Sequence, residues 1–312
     1  STPLYSSAAS DVYKRQELRQ ELKERDGDLN FLARKLKKIK IEIGLFLILF
    51  GCTNSSNWID SLPKPWKLNE EQVSDILPQF HKKFPDFHDR LKAFALWQVG
   101  KPYELFCLGE ESGEDKDPIF RLDVSDCTVH ILTSLASVQS SSWQEARKTL
   151  IDIHYKRNDD QTSIPTYKSR WHFTTDRIQD NPSTKNITSS LVSNQELVTI
   201  NLTLNKKEDG DEFLKLGWQK PTTIQFIPNK FVGEDLLDKL PQIAGVAFVK
   251  KTYFKMGLVV AHEGMIIDNK NIVHASSEFG KTVNMDFMKY YFLDDGPRFD
   301  GVLIFSFNPI ES

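Results

Sequence analysis

The stretch Ser125-Asp126-Cys127-Thr128-Val129-His130-Ile131-Leu132 marks the place where a polar turn gives way to an apolar pattern of helical period. Ile131, Leu132, Leu135 and Val138 recur at the spacing of one helix face, which turns them toward a core. Ser125 and Asp126 carry side-chain oxygens suited to the first unpaired amides of a helix, so the spacing predicts a helix starting at or just before Cys127. A thiol on that first turn sits at the positive end of the helix dipole, which favours the thiolate, the nucleophilic form. The same cysteine also fits as a small buried hydrophobe, the commoner fate of a free thiol.

The chain has 312 residues, 39% hydrophobic and 27% charged, enough for one large or two modest domains with a real core. A net charge of −3 and the lack of a long basic run beyond the N-terminal region argue against nucleic acid as a partner. The three cysteines, Cys52, Cys107 and Cys127, form no CxxC pair and no Cys/His spacing of the zinc type, so neither a metal nor another cofactor is expected. A disulfide between Cys107 and Cys127 stays open at this point and would silence the thiol.

Residues 1–33 read as a leader set apart from the fold; the first 16 resemble translated adapter sequence, and no Met precedes Met256. Residues 34–52 follow as a basic run (Arg34-Lys35-Leu36-Lys37-Lys38), a short apolar run and Gly51-Cys52. That is the layout of a secretory signal, and the apolar run is too short to span a bilayer as a helix. Leu49-Phe50-Gly51-Cys52 resembles a bacterial lipobox, which makes Cys52 a lipidation site and the membrane a partner through that anchor. Residues 53–69 then read as a polar tether, and residues 70–312 as one folded domain.

Residues 70–97 carry helical periodicity (Val73, Ile76, Leu77, Phe80, then Phe87, Leu91, Phe94), and Pro85 divides them into two helices. His81 and His88 lie among charges and read as solvated. Another amphipathic helix runs from Trp143 to about Tyr155, with His154 placed as a favourable cation or polar group near its C-terminal end. From Glu196 the period changes to two: Val198, Ile200, Leu202 and Leu204 alternate with polar residues, as do Ile224 and Phe226. Met265-Ile266-Ile267 and Ile272-Val273-His274 flank Asp268-Asn269-Lys270-Asn271, a hairpin signature, and 302–307 reads as a last strand. Helices first and an antiparallel sheet afterwards give an α+β domain.

A cysteine heading a helix, followed much later by a strand histidine, resembles the papain-like cysteine hydrolases. Within them the chain is similar to the NlpC/P60-related, N-acetylmuramoyl-L-alanine amidase-like family. Four segments carry the resemblance: Gly100-Lys101-Pro102-Tyr103; Asp126-Cys127-Thr128; Ser169-Arg170-Trp171-His172-Phe173; and Gly257-Leu258-Val259 through His274-Ala275-Ser276-Ser277. The resemblance implies a nucleophile packed on an antiparallel sheet and an amide of peptidoglycan, in or next to the stem peptide, as substrate. It makes Cys127 the nucleophile and His274 the orienting residue of a strand histidine. Tyr103 and His172 would line the substrate cleft, with Arg170 and Asp126 beside them. The base is expected two residues before the glycine of a His-x-Gly pattern, and in Phe254-Lys255-Met256-Gly257 that slot holds Lys255. His130 likewise stands where the family carries an aromatic residue.

A lysine is ordinarily protonated at neutral pH and shuttles protons poorly, and loss of a base costs about 10²–10⁴-fold in rate. Three readings follow. The first is a lipid-anchored envelope hydrolase facing the periplasm, with Cys127 as nucleophile and proton work by His274, helped by His172. The second is a family member that binds wall peptides or muropeptides without cutting them, with Lys255 contacting a carboxylate. The third is a lipoprotein with a purely structural role.

Overall fold

A computed structural model of the chain describes residues 55–105, 108, 120–158 and 163–310. The leader, the signal segment, Cys52 and Cys107 lie outside the described residues. Among the described residues, no helix is long and apolar enough to cross a membrane.

Helices come first. Helix α1 (Ser55–Ser61) falls where a tether was expected; Trp58 stacks edge-on against Phe80 at 5.0 Å and Ile59 is buried, so the chain is docked at these two residues. Helix α2 (Glu70–Lys83) starts at a reciprocal cap between Asn69 and Gln72, and α3 (Phe87–Trp97) starts where the Asp86 carboxylate accepts from the amides of His88 and Asp89. The break at Pro85 is as the sequence indicates. Helix α4 (Cys127–Ser137) begins at Cys127, with the Asp126 carboxylate accepting from the Val129 amide at 2.8 Å. Nearly every residue of α4 is buried, because it lies between α3 and α5 (Trp143–His154) on one side and the sheet on the other. Helix α6 (Thr174–Asp180) follows.

The strands, in chain order, are β1 (Thr184–Asn186), β2 (Val198–Leu204), β3 (Lys220–Pro228), β4 (Ile243–Val249), β5 (Val260–Ile267), β6 (Asn271–Ser276), β7 (Lys281–Asp286) and, closing the sheet, residues Gly301–Phe307. They form a mixed α/β fold around one antiparallel sheet in the order β2-β3-closing strand-β4-β5-β6-β7, with β1 pairing on the closing strand. The β5–β6 hairpin turns through Asp268 and Asn269, both at positive φ (52° and 54°), as a two-residue primed turn requires.

Both faces of the sheet are covered. Ala247, Val249, Met265, Val273 and Leu303 pack with α2 to α5, while Val246, Phe248, Ile266, Ile272 and Ile304 pack beneath a C-terminal aromatic cluster of Phe287, Tyr290 and Tyr291. All residues of β4 and β5 are therefore buried; β4 reads as a continuous apolar run, and β5 is apolar apart from His262 and Glu263. His81 and His88, expected in solvent, are half-buried and bond the carbonyls of Ser140 and Phe307.

Candidate active site

Cys127 is the first residue of α4, unbridged and 1% exposed. Its setting is a strap that ties three elements together. Residues 100–104 are clipped to the β7 edge by Gly100 donating to the Thr282 carbonyl, Thr282 to Lys101 and Tyr103 to Gly280. The same strap bonds to Ser125 in both directions, from Ser125 to the Pro102 carbonyl and from Glu104 to the Ser125 carbonyl. Tyr103 is thereby held beside the cap of α4, two residues from the thiol along the paired segment, while Asp126 is spent on capping.

The histidine pair lies on the β5–β6 hairpin. His262 Nε2 is 2.7 Å from His274 Nδ1, and the two residues are 5% and 1% exposed. His262 stacks on Phe248 with ring centroids 5.8 Å apart and planes at 9°, and Tyr290 lies 4.4 Å from His274. Gly264 makes this possible. A Cβ there would come within 3.0 Å of the His274 Cβ and within 2.9 Å of Ile272, so only a glycine lets β6 sit this close.

Sequence reading missed His262, although His262-Glu263-Gly264 is itself a His-x-Gly pattern. It took Gly257 for the glycine and so put Lys255 in the base slot. In the structure Gly257 serves a different purpose. At φ 69° it caps the 3-10 turn Lys251–Met256, and a Cβ there would meet the Lys206 amide nitrogen at 2.4 Å. Lys255 itself is exposed on that turn. The useful signal was the placement of two histidines on opposite sides of a predicted hairpin turn, at positions of the same parity in strands that pair in register.

The residue between the pair's first histidine and Gly264 ties strand to helix. Glu263 is fully buried; its carboxylate accepts from Thr128 Oγ1 at 2.7 Å, from Thr174 Oγ1 at 3.2 Å and from Arg177 at 2.5 Å. Thr128 follows Cys127 and Glu263 follows His262, so the cysteine's helix and the histidine's strand are bonded one residue from each.

A second buried polar group underlies α4. Lys101, fully buried, donates to Gln98, and Gln98 donates to Ser134 at 2.6 Å. His130, one turn along from Cys127, is fully buried as well; burial, then the charges of Lys101 and His274, push its pKa well below the usual value, so its ring is neutral.

The remaining predicted residues gather elsewhere. His172 Nε2 donates to the Tyr167 carbonyl at 2.5 Å, and burial, ahead of the nearby Arg170 charge, lowers its pKa to about 3. Arg170 lies over the Tyr167 ring at 5.7 Å. His154 belongs to the same neighbourhood. Burial and the cations Arg170 and Arg177 hold its pKa well below the usual range, so of the cation or polar group expected at this helix end the structure favours the neutral polar form. Among the described residues, no three His, Cys, Asp or Glu side chains gather as a metal site requires.

A family model of N-acetylmuramoyl-L-alanine amidase-like proteins (AmiA-like) matches residues 93–296, about two thirds of the chain. The chain belongs to the N-acetylmuramoyl-L-alanine amidase-like family. The matched span of this amidase-like chain takes in Tyr103, Cys127, the Glu263 network, His262 and His274. Solved structures share the fold. A Legionella pneumophila protein described under the family model DUF1460 superposes with a TM-score of 0.62 at 21% identity, covering 78% of this chain and 97% of its own. A Bacteroides uniformis protein described as an N-acetylmuramoyl-L-alanine amidase superposes with a TM-score of 0.55 at 20% identity, covering 70% of this chain and 98% of its own. No curated protein matches the chain.

Proposed function

We propose that this amidase-like protein is a cysteine hydrolase of the papain-like, NlpC/P60-related kind, cutting an amide in or next to the peptidoglycan stem peptide. Family membership and the amidase description of the Bacteroides uniformis relative support the reaction class. The single observation that carries the cysteine mechanism is the His262–His274 contact on a strand bonded through Glu263 to the residue after Cys127.

His262 takes the base role that sequence reading had left to Lys255. With Nε2 directed to His274, it is Nδ1 that accepts the Cys127 proton. The thiolate attacks the amide carbonyl carbon, and the oxyanion is met by the Cys127 backbone N–H at the start of α4. The C–N bond breaks, His262 returns the proton to the leaving amine and a thioester remains. Water, deprotonated by His262, attacks the thioester; the acid product leaves and the thiol is restored. His274 holds the ring in one tautomer, and Tyr103 borders the cleft. The reading of a non-cutting binder rested on a lysine in the base slot, and a histidine in that role removes its motive. Cys52, in the lipobox-like segment, would anchor the enzyme in the cell envelope facing the periplasm.

Digestion of purified muropeptides tests the proposal. The wild-type chain is expected to release new amine and carboxyl ends that Cys127→Ala does not release. Equal products from Cys127→Ala would end the cysteine mechanism, and no cleavage by the wild type would return the non-cutting reading.

A further inference from the structure

Apolar contact between α4 and the sheet resists their separation but is non-directional, so it leaves sliding and rotation of the helix weakly opposed. Directional bonds between the two therefore matter. The Glu263 carboxylate, 0% exposed, receives Thr128 from α4 and both Thr174 and Arg177 from α6. Arg177 is itself 1% exposed, and both of its terminal nitrogens address the carboxylate, at 2.5 and 3.4 Å. A buried ion pair is a poor source of stability compared with apolar packing of the same volume. Its geometry is fixed, however, and it anchors an acceptor on the sheet that reaches the turn carrying the thiol.

From this arrangement we infer that Glu263 is a positioning residue: through Thr128 it sets the rotation and depth of the first turn of α4, and so the place of the Cys127 sulfur relative to His262. Arg177 holds the carboxylate still, and Thr174 donates to the same oxygen as Thr128. The inference rests on the roles proposed for Cys127 and His262. A misplacement of about 1 Å at a reacting pair costs about 10²-fold in rate, so one hydrogen bond at this position is worth far more to turnover than to folding.

The test uses the full chain and three variants: Thr128→Val, which keeps the shape and removes the donor; Thr128→Ser, which keeps the donor; and Glu263→Gln. Iodoacetamide labelling of the Cys127 peptide is followed by mass spectrometry across pH, alongside kcat and KM on muropeptides and the thermal midpoint. Thr128→Val is expected to lose about 10²-fold in kcat with KM nearly constant. Its labelling midpoint should move upward by about half a unit or more, toward the ordinary thiol value of about 8.5, while its thermal midpoint stays near wild type. Thr128→Ser should rescue both readouts, and Glu263→Gln, which leaves the buried Arg177 without its anion, should move kcat and the labelling midpoint in the same direction as Thr128→Val but with a lowered thermal midpoint. A wild-type midpoint below 8.5 with an unchanged Thr128→Val profile and kcat would overturn the positioning role alone. A wild-type midpoint at or above 8.5 would overturn the underlying cysteine reading, and the inference with it. Should Glu263→Gln fail to fold, the two Thr128 variants decide the matter.

Discussion

His262 and His274 sit on neighbouring strands of one hairpin with Nε2 and Nδ1 2.7 Å apart. A separation of that size is a hydrogen bond, so one ring donates and the other accepts, which couples the tautomer of each ring to that of the other. The pair is enclosed by Phe248 and Tyr290, which hold the rings and keep water from competing for the bond.

Gly264→Ala tests how closely that geometry is set. The added carbon would lie 3.0 Å from the His274 Cβ, an atom too near the backbone to move aside, whereas the Ile272 tip can turn away. Overpacking of this kind costs about 1–3 kcal/mol in stability. Displacement of His274 should lower kcat by about 10²-fold, well beyond what the stability change explains. Enzyme assays and urea unfolding of the same variant check this; a variant with wild-type turnover would contradict it.

Removing one partner of the buried Arg177–Glu263 pair should be expensive. Arg177→Met leaves the Glu263 carboxylate buried without its cation and should cost about 3–5 kcal/mol. Adding Glu263→Gln to that variant removes the stranded charge and should recover much of the loss. Urea denaturation of the single and double variants measures both, and a loss under about 1 kcal/mol for Arg177→Met would contradict the assignment.

Stability should fall as the solution is made mildly acidic. His130, His154 and His172 are all held neutral in the fold, with pKa values lowered chiefly by burial, His172 to about 3. In the unfolded chain they take up protons near 6.5, so the unfolded state binds more protons below that pH. The contribution is complete above about 6.5 and is lost progressively as pH drops toward 3. The slope is up to about 1.4 kcal/mol per unit for each histidine. Urea midpoints at pH 7.5 and 5.5 should differ accordingly, and His154→Phe should flatten the trend. Equal midpoints would contradict it.

Much of this was legible in the chain because local chemistry agreed with the final fold. Asp126 marks a helix start by what its side chain can accept, and Asp268-Asn269 marks a turn by the backbone conformation it tolerates. The errors came where tertiary contact overruled local pattern. His154 has the sequence position of a cation or a polar group at a helix end, and only enclosure beside Arg170 and Arg177, which makes the charged form unfavourable, decides between the two. Trp58 and Ile59 sit in a polar stretch, yet dock onto α2. Gly257 and Gly264 look alike in sequence. Only the close approach of Lys206 to one and of His274 to the other tells a turn cap from the glycine that makes room for a histidine pair. The buried Arg177–Glu263 pair joins residues far apart in the chain and left no local signal.

The central claim is that the Cys127 sulfur works with the His262 imidazole. The pH profile of Cys127 labelling in the wild type, His262→Ala and Lys255→Ala tests this most directly. The account predicts a wild-type midpoint below about 8.5, a rise toward that value in His262→Ala together with a loss of about 10²–10⁴-fold in turnover, and no change in Lys255→Ala. A midpoint that ignores His262 and follows Lys255 would contradict it.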